Sequence, residues 1–241
     1  MTMLMQPQMY NVTYVLFRTI FGVTPEDMIY EKRKAWNPGE EEKSMTYAVS
    51  VGEAKKDDKI ATKTIIALVQ PTEPNSQSSH VRSMLNNHSA ASHWQHIALR
   101  TPDLLKFHEH AVSLGVNFVT PILKDDEEDV IQAFSGEWFY PGSPSSALFF
   151  EFLQRNPTDS LMKKIEEQNR ETWFRDKTFL GLYGEKEKEY QKDDVVPFID
   201  HELFEKLSEK VAHKPLWDIS SSDIDECETI MRAYAKAKHQ K

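Results

Sequence analysis

Trp94-Gln95-His96-Ile97-Ala98-Leu99-Arg100-Thr101-Pro102-Asp103-Leu104-Leu105 opens the stretch that decides the fold. Residues 94–100 read as a strand. Asp103 stands where a side chain can cap a helix, one that buries Leu104, Leu105, Phe107, Ala111 and Leu114 and stops at Gly115. Residues 116–119 read as a short strand and the acidic run Asp125 to Asp129 as a loop. Residues 130–135 and 147–154 read as two further strands, joined by a loop holding Pro141, Gly142 and Pro144. The unit is β-α-β-β-β.

A similar unit precedes it. The spacing of Val12, Val15, Leu16, Thr19 and Ile20 predicts a helix over 10–22 that Gly22 can end. Residues 45–53 and 60–70 are β-branched and partly alternating, so they read as strands, with the charged stretch Glu53 to Lys59 turning between them. Pro71 to Ser79 reads as a polar loop, followed by a short helix from about Ser79 to Leu85. This first half, α-(β)-β-β, is the same unit with its opening strand shortened or missing. From Asn156 onward strand signals vanish. Helices are expected over 158–171, 183–191, 200–212 and 222–238, the last capped by Ser222 and carrying Ile224, Cys227, Met231 and Tyr234 along one stripe. The expected organisation is an α+β fold. Two βαβββ modules, about 1–77 and 78–155, form a curved half-open sheet in a domain over 1–155, and a helical C-terminal extension covers 156–241.

Composition narrows the function. The chain has 241 residues, 39% hydrophobic and 28% charged, with a net charge of -9. An acidic surface does not favour nucleic acid, whose affinity comes from Lys and Arg. No apolar run approaches the ~18 residues of a membrane span. Met1 to Pro7 lacks a basic stretch followed by an apolar one, so no secretory leader is expected. A single cysteine, Cys227, excludes an intrachain disulfide and fits a reducing cytoplasm. The expected partners are a small-molecule substrate and, as an assembly, a homodimer.

Two ionisable residues sit inside apolar strands: His96, and Glu151 in Ala147-Leu148-Phe149-Phe150-Glu151-Phe152-Leu153. A buried carboxylate is costly unless paired or bound to a metal. Both residues are therefore candidate metal ligands, since two His and one carboxylate form the facial triad of non-haem Fe(II) oxygenases. The plainer readings are a core histidine for His96, a carboxylate paired with Arg155 for Glu151, and a glutamine bonded within the sheet for Gln132. His93 and His201 are secondary ligand candidates. His108 and His110 lie on the polar side of a surface helix, where exposure is expected. Phe134, Trp138, Phe139, Tyr140, Phe149 and Phe150 are candidates for lining a cavity or for plain core. No P-loop, Rossmann fingerprint or Gly-x-Ser-x-Gly is present.

Read in order, Gln95-His96-Ile97-Ala98-Leu99, Thr101-x-Asp103, Leu114-Gly115-Val116-Asn117-Phe118, Ile131-Gln132-Ala133-Phe134-Ser135 and Phe149-Phe150-Glu151-Phe152-Leu153-Gln154-Arg155 carry a family likeness. The segment from about Ser78 to Arg155 resembles the C-terminal, catalytic half of 4-hydroxyphenylpyruvate dioxygenase, of the vicinal oxygen chelate (glyoxalase/bleomycin resistance/dioxygenase) superfamily. The resemblance implies paired βαβββ modules, His96 and Glu151 as ligands of Fe(II) or another divalent metal, and Gln132 facing the substrate. It implies a dioxygenase acting on a small 2-oxo acid or aromatic substrate. The alternatives are a degenerate, metal-poor relative that binds a small molecule or a protein, and a divalent-metal isomerase or lyase. The resemblance also implies another His ligand on the first strand of the preceding module, yet residues 1–9 hold no His, Asp, Glu or Cys. The Gly-rich, Phe-containing segment that follows the carboxylate ligand in that family is replaced here by the helical tail.

Overall fold

The computed structural model describes residues 1–34, 44–51, 64–73, 79–125, 130–161, 163 and 178–240. Its elements are β1 (Thr2–Met5), α1 (Pro7–Ile20), β2 (Met28–Lys34), β3 (Ser44–Val51), β4 (Thr64–Pro71), α2 (His80–Asn87), β5 (Ser92–Arg100), α3 (Leu104–Ser113), β6 (Leu123–Asp125), β7 (Val130–Glu137), β8 (Phe149–Arg155), α4 (Thr178–Lys192), α5 (His201–Val211) and α6 (Ser221–Lys238). The class is α+β, with the βαβββ order written twice. The turn expected over Glu53 to Lys59, residues 60–63 of the expected strand and most of the helix expected over 158–171 lie outside the described residues.

Contacts group the chain into two compact units. One holds Met1–Ile97 with Tyr183–Asp193, the other Ala98–Leu182 with Asp194–Lys241. No helix among the described residues is long and apolar enough to cross a membrane.

In the first unit the opening strand is present in its short form. Four residues, Thr2–Met5, run parallel to β4 (Thr2↔Ala67, Leu4↔Val69) and antiparallel to β5 (Thr2↔His96, Leu4↔His93). β4 continues antiparallel to β3, and β3 to β2. The helix starts earlier than the sequence pattern suggests, because Pro7 occupies its first turn, where the missing N–H costs nothing. Gly22, at φ +66°, takes the left-handed position past its end. The face that α1 turns inward is not the stripe whose spacing predicts the helix. Tyr10, Tyr14 and Phe17 pack on Met5, Val23, Val49 and Leu68, whereas Val12, Val15, Leu16 and Ile20 face out. Both sets recur at helical spacing, and only the sheet beneath decides which is core.

In the second unit β8 pairs antiparallel with β7, and β7 with β6. The Thr101 N–H, just past β5, donates to Leu153 O at 2.9 Å. The Asp103 side chain accepts from the Lys106 N–H at 3.1 Å, as its capping position predicts, and Gln154 Oε1 accepts from the Leu104 N–H at 2.9 Å. Leu104, Leu105 and Ala111 are buried, and Leu104 and Leu105 join Ile122, Ile131, Ala133 and Phe152 in the core.

Two expectations need correction here. Residues 116–119 form no strand but two isolated bridges, Val116↔Ile199 and Phe118↔Ser135. Main-chain bonds alternate between residues 134–136 on one side and Phe198 on the other, so no ladder can propagate. The cap of α6 is Ser220 and not Ser222. Ser220 and Asp223 form a reciprocal capping box, and Ser222 lies inside the first turn.

Candidate functional site

In antiparallel strands, residues directly opposite share a face of the sheet. In the second unit Gln132 stands opposite Leu153, and Phe134 opposite Glu151. Gln132, Phe134, Glu151 and Leu153 therefore line one face, with Gln132 and Glu151 as diagonal neighbours. Ile131, Ala133 and Phe152 take the other face, in the core beneath α3. Gln132 and Glu151 are half-buried. The second module thus brings two of the residues singled out from sequence to a common surface. Phe134 and Phe149 pack edge to face at 6.3 Å, and both are buried.

His96 belongs to the first unit. It is buried on β5, and its Nε2 lies 2.9 Å from the hydroxyl of Thr2, also buried, on β1. The register explains why these two meet. Thr2 faces His96 and Met3 faces Trp94, so β5 spends one extra residue, Gln95, at this step. A bulge of this kind re-aims side chains locally. Gln95 is buried too, and its Oε1 is 3.5 Å from the Tyr183 hydroxyl.

The strand expected to supply a second His thus presents Thr2 against His96. Among the described residues no group of three His, Cys, Asp or Glu side chains is placed to hold a metal ion. Fe(II) needs a three-donor face, and the described residues do not provide it. His93 Nδ1 lies 2.6 Å from Trp94 O, and its ring stacks on His88 at 4.3 Å. His201 opens α5 with its ring edge-on to Phe139. His110 is exposed as expected, but His108 is not: it packs on Phe118 at 4.2 Å, and burial lowers its pKa.

Sequence reasoning missed a second set of polar residues, all in the first unit. Glu187 accepts from the His80 N–H at 2.8 Å, and its carboxylate is 3.3 Å from His80 Nδ1. Tyr183 meets the His80 ring edge-on at 4.7 Å. Arg82 Nε donates to Glu73 at 2.9 Å, and the fully buried Lys186 pairs with Glu189 at 2.8 Å. In sequence these α4 residues read as an ordinary polar helix in the tail, and no local signal marks them as interior. Each ion is matched by an opposite partner, as burial demands.

No protein-family model and no curated protein sequence matches this chain. Among solved structures, it is similar to a triple mutant of 4-hydroxymandelate synthase from Streptomyces coelicolor, at 16% identity and a TM-score of 0.47. That match covers 70% of this chain and 53% of the synthase chain, about half its length. It is also similar to methylmalonyl-CoA epimerase from Streptomyces coelicolor, at 13% identity and a TM-score of 0.43, covering 65% of this chain and 94% of that one. A third is the Mycobacterium tuberculosis methylmalonyl-CoA epimerase, at 13% and 0.41, covering 65% and 85%. The synthase and the epimerase both have the vicinal oxygen chelate fold.

Proposed function

We propose that this chain is a metal-poor relative of the vicinal oxygen chelate enzymes that binds a small molecule without redox chemistry. One observation carries the reading: the hydroxyl of Thr2, on the short opening strand β1, engages His96 Nε2 at 2.9 Å. A neighbouring hydroxyl occupies that nitrogen of the buried imidazole within the fold. The ligand-facing surface would then be the second module's face of Gln132, Phe134, Glu151 and Leu153. Half-buried polar groups beside aromatic rings suit a small molecule with an apolar body and a polar end. This reading displaces the Fe(II) dioxygenase and the divalent-metal isomerase or lyase that the same likeness suggests.

The test is a thermal-shift titration with phenylpyruvate, an aromatic 2-oxo acid, in EDTA. The expected outcome is a saturable rise in Tm without metal, reduced at least tenfold in apparent affinity by Phe134→Ala. A rise that needs Fe(II), accompanied by oxygen uptake, restores the dioxygenase. A rise that needs another divalent ion, without oxygen uptake, restores the isomerase or lyase.

A further inference from the structure

α1 carries two apolar faces, and only one of them is used within its own unit. Tyr10, Tyr14 and Phe17 meet the sheet. Met9, Val12, Val15, Leu16 and Ile20 point outward, and Val12, Val15 and Ile20 are 52%, 55% and 66% exposed. Single exposed apolar residues are ordinary, but a contiguous stripe of five is not. At 1.5 Å per residue the stripe from Met9 to Ile20 is roughly 16 Å long.

Its polar content is unusual for a helix surface. Arg18 is the only charged residue between Pro7 and Phe21, and its guanidinium leans over the Tyr14 ring at 5.9 Å. Thr19 is the one polar side chain within the stripe. Its hydroxyl donates to Val15 O at 2.9 Å, so the group already has a partner inside its own helix. A hydroxyl satisfied in this way can be dehydrated without stranding a donor.

We infer that the outward face of α1 is the contact between two copies of this chain, packed about a two-fold axis. An isologous contact needs a surface complementary to itself, and a stripe without charge meets that condition: no like charges oppose each other across it. The net charge of -9 disfavours association through most other surfaces of the same protein. The area fits a weak pair: the exposed parts of the five side chains come to roughly 400–450 Å² per copy, so a pair buries roughly 800–900 Å², in the range of contacts that dissociate on dilution. A lipid surface fits less well, because interfacial helices carry Lys and Arg along their polar face and α1 offers only Arg18.

Analytical ultracentrifugation across a wide concentration range tests this. The 28.0 kDa chain should sediment as a dimer that dissociates on dilution. Val12→Glu and Ile20→Glu each place like charges face to face across the axis, and should weaken the dimer at least tenfold while leaving circular dichroism and Tm of the monomer unchanged. Thr19→Glu, at a residue already polar, should do the same and covers the case in which an apolar variant fails to fold. A wild-type chain that is monomeric at every concentration overturns the inference, as does a dimer indifferent to all three substitutions. So does a monomer that co-sediments with phosphatidylcholine vesicles, which makes the stripe a lipid-binding face.

Discussion

The opening strands of the two βαβββ modules make the instructive comparison. β5 is nine residues long and carries His96; β1 is four residues long and carries Thr2 opposite it. Here one supplies an imidazole and the other a hydroxyl, 2.9 Å apart. The helices that follow differ in the same spirit. α3 turns Leu104, Leu105 and Ala111 into the core, whereas α1 leaves more large apolar side chains outside than it packs inside. The two modules thus share an element order and differ in what their opening strands and first helices present.

The contrast breaks most visibly in α3. Leu105→Ala removes a buried side chain from a packed cluster and should cost about 2–5 kcal/mol by urea unfolding. A cost no larger than that of a surface change would show that α3 does not anchor its module. Next comes the polar pair. Thr2→Val keeps the volume and deletes the hydroxyl beside His96, so it should cost about 1–3 kcal/mol. A neutral Thr2→Val would mean that His96 does not depend on Thr2, and the metal-poor reading would lose its support.

A smaller effect depends on pH. Burial against Phe118 lowers the pKa of His108 below its ordinary value of 6.5, a cause larger than the opposing attraction of Glu109. The unfolded chain then binds more protons than the folded one below about pH 6.5, so stability falls as the pH drops through that value and levels off below the folded pKa. His108→Phe keeps the ring contact and should flatten that part of the profile of urea midpoint against pH; an unchanged slope would assign it to other groups. The smallest effect is expected in α1. Leu16→Ala, on the exposed stripe, should change the stability of the monomer by less than about 0.5 kcal/mol, and a cost near that of Leu105→Ala would place Leu16 in a core.

Much of the second module was legible because its signals agree. Asp103 before two leucines, Gly115 after the helix and the apolar runs around Glu151 all point to one arrangement. The first module spoke less clearly. Four residues of β1 are too few to show a period, and its pairing with β4 and β5 is made by main-chain bonds that no side-chain pattern announces. β2 lies at an edge, and the run Glu31-Lys32-Arg33-Lys34 in its sequence disguises a strand. In α1 two stripes recur at the same spacing, so periodicity alone identifies a helix without choosing its buried side. His96 and Glu151 stood out as ionisable residues in apolar strands, and Gln132 through the family resemblance. Thr2 did not, because an isolated threonine in a short strand carries no such signal. The pairs His80–Glu187 and Arg82–Glu73 stayed hidden because charged residues on helices are ordinarily solvated, and only the fold shows them buried.

The most direct measurement is an anaerobic Fe(II) titration of the wild-type chain beside His96→Ala and Glu151→Ala, read as iron retained per chain after desalting. With Thr2 holding His96, the three proteins should retain equally little iron. Near-stoichiometric iron in the wild type, lost in both variants, would contradict the metal-poor reading and establish His96 and Glu151 as ligands of a working metal centre.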